Sequence, residues 1–231
     1  MRKCVFVHLP KTAGTSFQNA LRGVVGDDAV SPAFVASRLS EADAAKLDHY
    51  TVISGHVSIA DVKRYFPDRI VLTILRNPLD RCVSWYYFAR TGCLAIDAQS
   101  DVLAAQQNEI EEFFEQDARV IYRNIFNRQV RQLGDHVLNL DANHEKALEN
   151  AKNTLRSAAW VGLHENLAAD IVKLEKIFPQ AAGLRLQWLN RTNGKESVKE
   201  LSPGLIEKIA AFNRYDLALY RFARQEICPP D

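Results

Sequence analysis

Lys11, Thr12, Ala13, Gly14, Thr15 and Ser16 follow the apolar run Cys4–Leu9 and stand at the head of a helix-period segment. A buried strand, a short glycine-bearing loop and a helix that opens in hydroxyls aim unused backbone N–H groups at an anion. Gly14 lets the backbone approach closely, and Thr15 and Ser16 add donors beside the positive end of the helix dipole. Lys11 supplies a mobile point charge. Together these residues describe a phosphate cradle. The Walker loop GxxxxGK[ST] has its lysine after the second glycine, whereas Lys11 precedes Gly14 and no earlier glycine is present. Taken alone, the segment also reads as a strand-to-helix turn with capping hydroxyls.

A second cationic group follows the apolar run Ile70–Leu75, where the chain reads Arg76-Asn77-Pro78-Leu79-Asp80-Arg81-Cys82-Val83-Ser84-Trp85-Tyr86. An arginine at the carboxyl end of a strand projects into the crevice where α/β folds bind ligands, and Ser84 lies about two helical turns further on. Arg76 and Ser84 can therefore grip one more phosphate. No acidic residue of the magnesium-binding kind ends this strand, which disfavours a standard ATPase or GTPase. Arg81 reads as a brace rather than a ligand, and Trp85, Tyr86, Tyr87 and Phe88 read as partly core or as the lining of an acceptor cleft.

His56, in Ile53-Ser54-Gly55-His56-Val57, comes immediately after the apolar run Thr51–Ser54. An ordinary imidazole pKa of ~6.5 suits proton abstraction near neutrality. His8 is close enough to the loop to be a reserve base. Glu165 reads as a carboxylate capping a helix over Asn166–Phe178.

The elements that must position these groups are legible as apolar runs at Cys4–Leu9, Thr51–Ser54, Ile70–Leu75, Trp160–Leu163 and Leu184–Leu189, with helix-period segments between most of them. That alternation predicts an α/β fold: a central, mainly parallel sheet flanked by helices in three layers, in a single domain over residues 1–231. Helix starts are marked by Thr15-Ser16, Pro78 and Ser202-Pro203. Residues 95–116 are rich in Ala, Gln, Asp and Glu and predict a helical excursion, a lid or acceptor-binding element, or else a mobile connection. Apolar positions across Gly204–Gln225 recur at helical spacing and suit packing against the sheet.

A formal charge of +1 argues against a broad nucleic-acid-binding surface. Cys4, Cys82, Cys93 and Cys228 form no CxxC pair and no zinc spacing with His, so reduced thiols, a cytoplasmic setting and no metal are expected. No run approaches the ~18 apolar residues of a membrane span. Arg2-Lys3 and Val5-Phe6-Val7 resemble a truncated signal sequence, but Pro10-Lys11 interrupts it.

The two anion motifs together resemble those of the sulfotransferases that use the phosphosulfate nucleotide PAPS, especially the carbohydrate branch that includes heparan sulfate 2-O-sulfotransferase. HLPKTAGTS resembles their 5′-phosphosulfate loop, and LRNPLDRCVSWY resembles their 3′-phosphate motif R-x-P-x-x-R-x-x-S. Weaker likeness continues through Asn127–Gly134, Val161–Glu165, Leu189–Thr192 and Asn213–Tyr220. The resemblance implies a P-loop-like fold, PAPS as donor and a hydroxylated acceptor, with a carbohydrate the leading class. It implies that Lys11, Thr12, Ala13, Gly14, Thr15 and Ser16 hold the 5′-phosphosulfate and that Arg76 and Ser84 hold the 3′-phosphate. Arg191 or Lys195 would lie in a late loop near the nucleotide, or in a solvated basic turn. The branch has a similar Gly-His-Val segment carrying its catalytic histidine, which supports His56 as base, with Lys11 stabilising the leaving phosphate. The competing readings are a P-loop-like nucleotide kinase and a non-catalytic nucleotide-binding protein of the same fold.

Overall fold

The computed structural model describes residues 2–35, 39–91, 99–134, 143–182, 184, 186 and 197–229. Five parallel strands form one sheet: β1 (Cys4–Val7), β2 (Phe34–Val35), β3 (Val52–His56), β4 (Ile70–Leu75) and β5 (Trp160–Leu163), in the order β2-β3-β1-β4-β5. The α/β expectation holds. Four of the expected strands are present, while Leu184–Leu189 lies outside the described residues apart from Leu184 and Leu186. The short edge strand β2 carries too few residues to show a periodicity of its own.

The period-2 alternation of a strand explains how β1 serves two cores. Val5 and Val7 pack with Ile53, Leu75 and Val161 on one face. Cys4 and Phe6 pack with Leu72, Ile74 and Trp160 on the other. Such burial on both faces is why the strands read as continuous apolar runs. Helix α1 (Gly14–Val25) covers the second face, where Phe17 stacks on Trp160 with ring centroids 4.9 Å apart. The first face is covered by α2 (Glu41–Leu47), α3 (Ile59–Tyr65) and elements later in the chain.

After β4 comes α4 (Pro78–Arg90), with Pro78 in its first turn and the Asn77 side chain accepting from the Leu79 N–H. Proline fits there because the first-turn N–H has no intrahelical acceptor. Helices α5 (Ser100–Gln107), α6 (Ile110–Glu115) and α7 (Ala118–Ile121) pack with α4 around a third core that includes Trp85, Tyr86, Phe113 and Phe114. The described part of 95–116 is thus helical, and Trp85 and Tyr86 are core residues.

Helices α8 (Arg128–Leu133) and α9 (His144–Ser157) lead to β5. The helix expected over Asn166–Phe178 is a single α-turn, α10 (Leu167–Asp170), continued as a 3₁₀ helix over Ile171–Lys176. The C-terminal helical segment is broken at Asn213 into α11 (Pro203–Phe212) and α12 (Arg214–Phe222). Ser202 caps α11, as its sequence position predicts.

Strand register fixes the site. Val7 pairs with Gly55 on one side and with Thr73 on the other, so the carboxyl ends of β1, β3 and β4 finish together. His8, His56 and Arg76 emerge at that edge. The chain lays β2 and β3 on one side of β1 and then crosses to lay β4 and β5 on the other. Ligands of open α/β sheets bind at such a switch point.

Candidate active site

The loop from β1 into α1 is built by backbone geometry that its sequence does not advertise. Lys11 and Ala13 both adopt left-handed conformations, with φ of 68° and 72°. These non-glycine residues sit in a sparsely populated region, so the surrounding fold must hold them there. Part of that support is internal: the Thr12 hydroxyl is buried and donates to the Leu9 carbonyl oxygen at 2.9 Å. Thr12 therefore shapes the loop with its side chain and leaves only its backbone to face a ligand. Thr15 is exposed and Ser16 buried at the head of α1.

Packing adds a second requirement for glycine at position 14. A Cβ built on Gly14 would lie 1.9 Å from Cδ2 of His8. The space a side chain would fill is occupied by the His8 imidazole, which stacks on Phe6 and lies tilted against His56, with centroid distances of 5.6 and 4.3 Å. His8 is therefore a packing element of the loop. Burial, helped by the nearby charges of His56 and Lys11, holds its pKa well below the ordinary histidine value.

His56 is the last residue of β3, not the residue after a strand ending at Ser54. Its Nδ1 lies 2.6 Å from the His8 carbonyl oxygen. A carbonyl can only accept, so Nδ1 carries the proton and Nε2 presents a lone pair. Gln132 donates from Nε2 to the same His8 oxygen and to the Val57 oxygen, each at 3.0 Å. Burial pushes the His56 pKa down to about 4, with the His8 hydrogen bond opposing and the Arg128 charge adding to the shift. The imidazole is neutral at pH 7.

Lys11 places its ammonium 3.7 Å over the ring of Phe88 on α4. Lys11 lies in the same loop after β1 as His8, whose ring packs against that of His56, so all three stand at one edge of the sheet. Arg76 donates from Nη1 to the Lys11 carbonyl oxygen at 2.9 Å, tying the second anion motif to the first. Its Nε is buried and has no hydrogen-bond partner among the described residues. Ser84 is buried on α4. Arg81 is a brace, as expected, donating to the Ile125 carbonyl oxygen from a wholly buried position. Arg191 and Lys195 lie outside the described residues.

Glu165 does not cap the following helix. It accepts from the Asn77 N–H at 2.9 Å and from the Tyr220 hydroxyl at 2.6 Å, fastening the β4–α4 turn to α12. Gln129 exchanges two hydrogen bonds with the backbone of Arg76, at 3.0 and 2.9 Å. The Asp216 carboxylate accepts from the N–H groups of Gln129 and Val130, while Asn127 Oδ1 accepts from those of Tyr215 and Asp216. Helices α8 and α12 thereby cap each other. The sequence carried this only as polar residues in Asn127–Gly134 and Asn213–Tyr220, since reciprocal capping across a separation of more than eighty residues has no local spacing signal.

The arrangement suits a bound anion. Lys11, Arg76 and the backbone at the head of α1 converge at the sheet edge, and an unprotonated imidazole nitrogen stands beside them. The family model described as "Sulfotransferase family" matches residues 2–223, and the chain belongs to that family. Among individual relatives, the uronyl 2-sulfotransferase homolog pip of Drosophila melanogaster is 24% identical over 211 residues, covering 76% of this chain. This chain spans 40% of the length of that relative. A solved sulfotransferase from Alicyclobacillus acidocaldarius is 18% identical, with a TM-score of 0.44, covering 95% of this chain and 94% of that one.

Proposed function

We propose that this sulfotransferase moves the sulfuryl group of PAPS to an acceptor hydroxyl on a carbohydrate, with His56 as general base and Lys11 stabilising the leaving phosphate. The observation that carries the reading is the 2.6 Å contact between His56 Nδ1 and the His8 oxygen, which leaves Nε2 unprotonated at the edge shared by both anion motifs. The carbohydrate acceptor is favoured by the likeness to a uronyl 2-sulfotransferase homolog.

PAPS supplies the sulfuryl group, which passes from a phosphate oxygen to the acceptor oxygen. The backbone of Lys11–Ser16 and the Lys11 ammonium bind the 5′-phosphosulfate, while Arg76, through its unpartnered Nε, and Ser84 bind the 3′-phosphate. His56 Nε2 takes the acceptor hydroxyl proton as the oxygen attacks sulfur. Lys11 meets the negative charge that develops on the departing phosphate oxygen.

Transfer of labelled sulfate from PAPS to a carbohydrate acceptor tests the reading. His56→Ala should lower kcat by about 10²–10⁴-fold, the usual contribution of a positioned base, while nucleotide binding survives. Unchanged transfer by folded His56→Ala protein removes His56 from the role. Magnesium-dependent ATP turnover without PAPS binding would favour the kinase reading instead.

A further inference from the structure

The aromatic run of α4, Trp85 to Phe88, divides by what each ring touches. Trp85 and Tyr86 are buried in the core that α4 shares with α5, α6 and α7, and Tyr87 packs against that core. Phe88 is half-buried and, among the described residues, joins none of the three apolar cores. Its ring face meets the Lys11 ammonium instead, 3.7 Å from the ring centroid. The contact links the helix after β4 to the loop after β1.

The root of the Lys11 side chain is already fixed, because its backbone sits in the left-handed region and its carbonyl oxygen accepts from Arg76 Nη1 at 2.9 Å. The ammonium, at the far end of a flexible four-carbon stem, needs a second hold. A ring face attracts a cation through its quadrupole without cancelling the charge. A carboxylate in the same place would pair with the ammonium and compete with a phosphate oxygen for it. The cation–π contact is weaker than a charge-assisted hydrogen bond, so it orders the ammonium and yields it to an arriving anion. Phe88 also lies one helical turn beyond Ser84 on the same face of α4, so one rigid element carries both the hydroxyl assigned to the 3′-phosphate and the ring that meets Lys11.

We infer that Phe88 is the positioning residue for Lys11: its ring face sets the direction of the ammonium in the free protein, so that the donor phosphosulfate meets a cation already ordered. The inference deepens the proposed sulfuryl transfer and rests on it for the role of Lys11.

The experiment replaces Phe88 by phenylalanines carrying one, two and three ring fluorines, which keep the ring shape while cancelling the negative character of its face, and adds Phe88→Leu and Phe88→Tyr. The kcat of sulfate transfer should fall stepwise along the fluorinated series and by about 3–30-fold in Phe88→Leu, the worth of a cation–π contact, and should recover in Phe88→Tyr. Calorimetry should show adenosine 3′,5′-bisphosphate still bound by every folded variant. Adding Phe88→Leu to Lys11→Ala should lower kcat little further, because the ring then has no cation to place. A flat kcat along the fluorinated series, or an equal fall from Phe88→Leu with and without Lys11, overturns the inference and leaves Phe88 a packing residue. The placement has a readout independent of turnover, since the ring should shift the Lys11 Cε protons upfield in NMR spectra of the free wild-type protein and not of Phe88→Leu. If wild-type protein transfers no sulfate, the proposed function fails by itself and those spectra decide the placement: the upfield shift supports it, and ordinary lysine shifts in wild-type protein overturn it.

Discussion

The Nδ1 atom of His56 lies 2.6 Å from the carbonyl oxygen of His8, joining the last residue of β3 to the residue that follows β1. This bond fixes the tautomer of the candidate base and ties its position to the loop that carries Lys11. Gln132 occupies the same oxygen from α8, so the carbonyl is held from two directions.

The first prediction concerns pH. The folded His56 pKa is about 4, below its ordinary 6.5, so the folded chain resists a proton that the unfolded chain takes up. Stability should therefore fall as pH drops from 6.5 towards 4, and the depressed pKa of His8 adds to the loss in the same direction. In catalysis the base is already unprotonated at neutrality, but a pKa held near 4 makes it a weaker proton acceptor than an ordinary imidazole, so an upward shift on donor binding favours the step. An NMR titration of the His56 ring should show a midpoint near 4 in the free protein, moving upward when adenosine 3′,5′-bisphosphate brings negative charge nearby. A midpoint at 6.5 in both states would mean that the ring is neither buried nor held as described.

Gly14→Ala should be damaging although Gly14 is at the start of a helix, where alanine is ordinarily favoured. The added methyl would fall 1.9 Å from the His8 ring, and displacing a packed ring costs about 1–3 kcal/mol. Because His8 also positions His56, sulfate transfer should fall along with the melting temperature. The paired substitution His8→Ala, Gly14→Ala should be less destabilised than the sum of its parts, as a double-mutant cycle by urea unfolding can measure. Simple additivity would show that the two residues do not share the space.

Asp216→Ala should be among the most destabilising single changes in the chain. Its carboxylate satisfies two N–H groups of α8 and is the buried negative charge among Arg81, Arg128 and Arg131. Removing one partner of a buried charge cluster typically costs about 3–5 kcal/mol. Urea unfolding should show that loss, and a change below about 1 kcal/mol would mean that the cluster is balanced elsewhere.

That the loop after β1, the Arg76 turn and His56 stand at strand ends was legible in the sequence because each is local: an apolar run followed by a few residues of polar or cationic type. Pro78 and Ser202 marked helix starts for the same reason. Glu165 was misread because its partners, Asn77 and Tyr220, come from opposite ends of the chain and only the sheet edge brings them together. The contact of Gly14 with the His8 ring was not legible, since nothing in a sequence says that a histidine six residues earlier will fold back over it. Arg128 belongs to the weak likeness over Asn127–Gly134, and that its Nε is buried without a partner among the described residues is visible only once α8 is packed.

Arg76→Ala separates the nucleotide from the chemistry. Arg76 Nη1 holds the Lys11 oxygen while its Nε lacks a partner, so its loss should weaken nucleotide binding by about 10–100-fold, the worth of a hydrogen bond to a charged group, with a smaller effect on kcat. Lys11→Ala should act the other way, lowering kcat by about 10²–10³-fold with less effect on nucleotide affinity. Steady-state kinetics of both variants with PAPS distinguishes them, and identical profiles would deny that the two motifs serve different ends of the donor.

Isothermal calorimetry with adenosine 3′,5′-bisphosphate tests the two-phosphate site most directly. Saturable one-to-one binding by the wild-type protein, weakened in Arg76→Ala and retained in His56→Ala, is the predicted result. Absence of binding by folded wild-type protein, or binding indifferent to Arg76→Ala, would contradict it.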